Sequence, residues 1–153
     1  MDSVVGVNHY SGACHCGAVS YRFSTARALP DLVPRACDCD FCTAHAAFYI
    51  SDPQGSLTLH LRDHARLYQQ GSNTADFVIC ARCGVLTCVL CRVDQHLYAV
   101  INARTIEAET APPQTMRLDD QSAPQRLSRR RKTWIGNVFI KRETHLDEAW
   151  PSQ

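Results

Sequence analysis

The sequence predicts a mostly β protein of one domain with short helices, and three observations carry that prediction. Five segments are apolar, in alternation or in continuous runs, and each is bounded by Gly, Asp, Asn or Pro. Helical patterning appears only in two short stretches. The chain has 153 residues, enough for one core and too few for two comfortable ones.

In chain order the expected strands are AVSYRF (18–23), SLTLHL (56–61), ADFVIC (75–80), GVLTCVL (84–90) and HLYAVIN (96–102). Their β-branched and aromatic residues suit a pleated, antiparallel sheet. One short helix is expected at TAHAAF (43–48) and another at APQRLSRRRKTW (123–134). Between the last strand and the second helix, ETAPPQTMRLDDQSAP (109–124) is polar and proline-containing, which reads as an exposed loop.

Hydrophobic residues make up 45% of the chain and charged residues 20%, the balance of a globular domain and not of a disordered one. MDSVVGVNHY at the N-terminus lacks a basic n-region and an apolar h-region, and no apolar run approaches a membrane span. A cytoplasmic chain without membrane contact is expected. A net charge of +1 argues against nucleic acid as a partner. If seven thiolates held two Zn²⁺ ions, that charge would fall to about −2, which weakens the case further.

The nine cysteines stand at 14, 16, 37, 39, 42, 80, 83, 88 and 91. Their number is odd and most lie in CxC or CxxC pairs, so metal binding fits better than disulfides. Sulfurs one or two residues apart on a tight loop can meet one ion at about 2.3 Å. CHCG (14–17) and CARCG (80–84) share a trailing glycine, the zinc-knuckle arrangement in which backbone amides turn toward sulfur. Pairing Cys14 and Cys16 with Cys80 and Cys83 closes a structural site of four ligands and leaves the triplet Cys37, Cys39 and Cys42 with a free position, as a catalytic zinc has. Cys88 and Cys91 are an alternative source of closing ligands. They lie in an apolar strand, however, where residues three apart face opposite ways, and so read as packing thiols.

Other residues near the triplet have two readings each. Asp38 and Asp40 either orient the cysteine loop or form solvated turns. His45, three positions past Cys42, is a candidate acid or base, although closeness in sequence is not the geometry that proton transfer requires. Arg129 and Arg130, in the run RRRK before Trp134, either form a solvated face or clamp an anionic, carboxylate-bearing thiol. His60 and His64 stand four apart but fall at the end of a strand and lack the glutamate of HExxH.

The succession GACHCGAVSYRF, CDCDFC followed by His-Ala, FVICARCG, AVINARTIE and RLSRRRKTW resembles the glutathione-dependent formaldehyde-activating enzymes, also grouped with centromere protein V-like domains. The resemblance implies a Mss4-like, zinc-bearing architecture over residues 1–136, with a motif core at 11–104 and a C-terminal tail at 137–153. It implies two Zn²⁺ per chain: a structural one on Cys14, Cys16, Cys80 and Cys83, and a catalytic one on Cys37, Cys39 and Cys42. The implied activity is that of a carbon-sulfur lyase, joining or releasing a small aldehyde such as formaldehyde and a low-molecular-weight thiol such as glutathione. The alternatives are a non-catalytic zinc module that binds a thiol compound or a protein partner, and a redox sensor at the triplet.

Overall fold

The computed structural model describes residues 6–62, 64–117 and 121–142. Within them the strands are β1 (Asn8–Ala13), β2 (Val19–Thr25), β3 (Arg35–Cys37), β4 (Tyr49–Ile50), β5 (Ser56–Leu61), β6 (Ala65–Tyr68), β7 (Asp76–Cys80), β8 (Leu86–Val93), β9 (His96–Asn102), β10 (Gln114–Met116) and β11 (Asn137–Arg142). Two α-helices accompany them, α1 (Asp40–Ala44) and α2 (Ala123–Thr133). β5 and β9 have the bounds read from the sequence, and β2, β7 and β8 differ from theirs by at most three residues.

The strands form two sheets, one ordered β1-β2-β5-β11 and the other β10-β3-β4-β9-β8-β7-β6. Their apolar faces meet in one core, where Phe23, Leu57 and Leu59 of the smaller sheet pack with Val78, Cys88 and Ile101 of the larger. A second core covers the opposite face of the larger sheet, with Phe77, Val89, Cys91 and Val100 lying under Trp134, at the end of α2, and Cys42. β8 is therefore covered on both faces, which explains its near-continuous apolar sequence. At the edge of the first core, Gly12 lies under Tyr21: a Cβ there would come within 2.2 Å of the Tyr21 ring. Only glycine permits this approach, which lets Tyr21 Oη meet Thr105 Oγ1 at 2.9 Å.

Three expectations need correction. Residues 137–142 are not a tail. They form β11, which pairs in parallel with the whole of β5, from Asn137 opposite Ser56 to Arg142 opposite Leu61. The rest of the expected tail lies outside the described residues. The first helix starts at Asp40, inside the triplet, and not at residue 43, because Cys39 caps it: its sulfur accepts from Cys42 N–H at 3.4 Å. The stretch 109–124 is not loop throughout, since Gln114–Met116 forms β10 and Ala123 already opens α2. β10 pairs in parallel with β3, setting Met116 opposite Cys37. Both parallel pairings join segments distant in sequence, so no local turn signal announces them.

α2 forms where expected, and its start shows why. Ser122 Oγ accepts from Gln125 N–H while Gln125 Oε1 accepts from Ser122 N–H, a reciprocal cap, and Pro124 occupies the first turn, where its missing N–H costs nothing. Arg130, Arg131 and Lys132 lie in the last turn, where cations suit the helix dipole.

Candidate metal centres and the adjoining cavity

Cys14 and Cys16 follow β1, Cys80 ends β7, and Cys83 lies in the tight turn beyond it. Their four sulfurs lie within 4.8 Å of one another. Cys14 and Cys16 are 3.7 Å apart and Cys16 and Cys80 3.6 Å apart. Sulfurs at tetrahedral corners about 2.3 Å from a zinc-sized ion would be about 3.8 Å apart, so the cluster fits such an ion. Backbone amides point at the sulfurs: Val19 N–H donates to Cys14 Sγ at 3.3 Å and Arg82 N–H to Cys80 Sγ at 3.4 Å. Gly17 and Gly84 have φ of +84° and +78°, the left-handed turns that bring the chain around each knuckle. The cluster ties the smaller sheet to the larger.

The triplet is assembled differently. Cys37 ends β3, Cys39 caps α1, and Cys42 lies one turn into that helix, 3% exposed. These three sulfurs also lie within 4.8 Å of one another, and among the described residues no fourth cysteine, histidine or carboxylate joins them. The neighbouring Cys42 thiol draws the Cys37 thiol down to about 6, while Cys37 and burial push Cys42 up. A metal held there would bind the sulfurs as thiolates. The hydroxyl of Tyr49, on β4, lies 3.2 Å from Cys42 Sγ. Burial and the neighbouring thiols raise the Tyr49 pKa well above its ordinary value, so the phenol keeps its proton and can donate.

A cavity of about 160 Å³ adjoins the triplet. Cys37, Cys39, Cys42 and Tyr49 line one side of it, and Gln70, Gly71 and Ser72 another. Arg35, Arg126, Arg129 and Arg130 also line it, with Asp38 as the single carboxylate among the described residues. Asp38 has Arg117 as an ion-pair partner at 3.6 Å. Arg129 and Arg130 are therefore not part of a solvated face. Arg130 is 6% exposed, stacks 5.0 Å over the Trp134 ring, and donates to Thr74 Oγ1 at 2.7 Å and to Cys91 Sγ at 3.5 Å. Arg129 is half-buried, and its Nε, like that of Arg130, is buried without a hydrogen-bond partner among the described residues. Arg131 points outward to Asp94, 2.7 Å away.

Other candidates fall elsewhere. His45 packs its ring 4.6 Å from that of Phe41 and does not line the cavity. Asp40 forms the first turn of α1. Cys88 and Cys91 are fully buried on opposite faces of β8, one in each core, and neither joins a metal-sized cluster. His60 lies on β5, outside both clusters. Sequence reading missed Tyr49, Arg35, Arg126 and the wall at Gln70–Ser72, which have no motif and meet the triplet only through folding.

The family of the glutathione-dependent formaldehyde-activating enzyme matches over residues 9–120. The chain belongs to this family. Both cysteine clusters of this formaldehyde-activating family member fall within the matched region, and α2 with its arginines lies beyond it. The family's Mss4-like, two-sheet architecture is the one observed. The crystal structure of a Rhodobacter sphaeroides protein is similar to it, with a TM-score of 0.53 and 28% identity over 68% of this chain and 99% of that one. No curated protein matches.

Proposed function

We propose that this chain is a zinc-dependent carbon-sulfur lyase that joins a small aldehyde, such as formaldehyde, to a low-molecular-weight thiol, such as glutathione, or releases them. The observation that carries the reading is the triplet of sulfurs with no fourth protein ligand beside a cavity. Catalytic zinc sites keep such a position free, whereas structural ones are closed by four ligands. Cys14, Cys16, Cys80 and Cys83 would hold the structural ion, and Cys37, Cys39 and Cys42 the second. When bound there, zinc lowers the pKa of an incoming thiol and polarises a carbonyl.

The chain's own residues do the rest. Tyr49 Oη holds Cys42 Sγ in place through its hydrogen bond. The cavity confines thiol and aldehyde together, converting a two-body encounter into a local one. Arg129 offers guanidinium donors to a carboxylate of the thiol. In the addition a carbon-sulfur bond forms, the carbonyl π-bond opens, and the thiol proton ends on the oxygen of the hemithioacetal. His45 has no part in this, since its ring lies on Phe41. A cytoplasmic location, where thiols stay reduced, suits the reading.

The test is the exchange rate between formaldehyde, glutathione and their adduct at equilibrium, followed by NMR with metal-loaded protein. The expected result is acceleration proportional to protein, falling by about tenfold or more in Cys39→Ser as that variant loses the triplet ion. A rate that protein leaves unchanged would overturn the reading.

A further inference from the structure

The cavity carries more information than the presence of an open metal position. Among the described residues, four guanidinium groups line it against the single carboxylate of Asp38. Three thiolates on one divalent zinc contribute a net charge of about −1. The described lining thus keeps a surplus of about two positive charges, on the four arginines less Asp38 and the metal centre. Arg129 feels that surplus: burial and then the charges of Arg130, Arg35 and Arg126 pull its pKa down to about 10. Among the described residues no carboxylate pairs with Arg129, and its buried Nε has no acceptor. Arg130, Arg35 and Arg126 are already engaged, the first by Thr74, Cys91 and Trp134, the second by Ser51 and the third by the carbonyl of Gln121 at 3.1 Å. Arg129 is the guanidinium left to meet a ligand.

Size narrows the ligand. The cavity, which opens to solvent on one side, has a volume of about 160 Å³. A cavity of about 150 Å³ holds benzene, a molecule of about six heavy atoms, and a tripeptide thiol is roughly three times larger. The cavity can hold the cysteinyl part of a tripeptide, whose remainder would hang into solvent. A short thiol acid would fill it.

Resting on the lyase reading above, we propose that the preferred thiol is a short thiol acid, with sulfur at the triplet and its carboxylate on Arg129. Thiolate and carboxylate together bring two negative charges and match the surplus. A neutral thiol such as 2-mercaptoethanol brings one. Arg129 is then the residue that sets thiol specificity, and Arg35, Arg126 and Arg130 raise the field around it.

Calorimetry on metal-loaded protein tests this with 3-mercaptopropionate, 2-mercaptoethanol and glutathione, followed by the formaldehyde exchange rate with each. The expected result is that 3-mercaptopropionate binds roughly 10- to 100-fold tighter than 2-mercaptoethanol, the effect of one buried charge-assisted contact, and tighter than glutathione. Arg129→Gln should abolish that preference with the metal content unchanged, and Arg129→Lys should restore part of it. Equal affinity for the three thiols in the unmodified protein overturns the inference without any variant, and so does a preference that survives in a folded Arg129→Gln. The exchange rate judges the lyase reading separately. Tight, Arg129-dependent binding without acceleration would remove the enzyme and keep the thiol-acid site. Acceleration that ignores the carboxylate would do the reverse.

Discussion

The hydroxyl of Tyr49 reaches Cys42 from a strand two residues long, and nothing about the dipeptide Tyr-Ile in isolation announces that contact. A sulfur that accepts a hydrogen bond has its lone pairs oriented, and partners of this kind are worth about 10- to 100-fold in metal affinity. Tyr49→Phe keeps the ring in the second core and removes only the hydroxyl. The expected outcome is triplet metal bound about tenfold more weakly in competition with a chromogenic chelator, with the thermal midpoint nearly unchanged. An unaltered affinity would mean that the hydroxyl does not orient the sulfur. At the same scale the cysteines were legible, because CxC and CxxC spacing is a short-range property. Tyr49, Arg35 and Arg129 were not legible as a group, since what unites them is the space they surround.

At the scale of elements, α2 acts as a clasp over the open face of the larger sheet. Arg130 fastens it to Thr74 and Cys91, and Ser51 Oγ donates to Thr133 O at 2.6 Å near its end. Truncating Arg130→Ala removes one donor from Thr74 Oγ1, which keeps Ser72 Oγ at 2.7 Å, and takes the guanidinium off the Trp134 ring. Urea unfolding should show a loss of about 2 kcal/mol. Arg131→Ala removes an exposed pair with Asp94 and should stay within about 0.5 kcal/mol. A basic run thus contains one anchor, one cavity residue and one surface residue, a division set by helical rotation that the letters RRRK do not display. β11 behaves in the same way. Ending the chain at Gly136 would expose the edge of β5 and remove half-buried Val138 and Ile140 from the first core, with an expected cost of about 2 kcal/mol or more and a tendency to associate through the bare edge.

At the scale of the whole molecule, the two metal clusters hold different things together. The four-cysteine cluster joins the end of β1 to the end of β7, and so links the two sheets. The triplet sits on the far face of the larger sheet and links β3 to α1. Metal binding to a closed site contributes directly to folding, whereas an open site gives up its ion more readily. Titration with a chelator should therefore release metal in two steps. The first equivalent should leave with the far-ultraviolet circular dichroism intact, and the second should leave together with the β signal. Simultaneous release, or unfolding at the first step, would contradict this division of roles.

The sequence by itself determined the β class, five of the strands, the helix expected at 123–134 and the grouping of seven cysteines into four and three, because each rests on residues close together in the chain. It also determined that Cys88 and Cys91 point apart, since strand alternation is local. Only the tertiary structure decided the parallel partners of β3 and β5, the strand at 137–142, the displacement of His45 from the cavity and the separate fates of Arg129, Arg130 and Arg131. These depend on segments that meet across most of the chain length, where pairing and burial are set by which faces have apolar surface left to cover and not by any neighbouring residue.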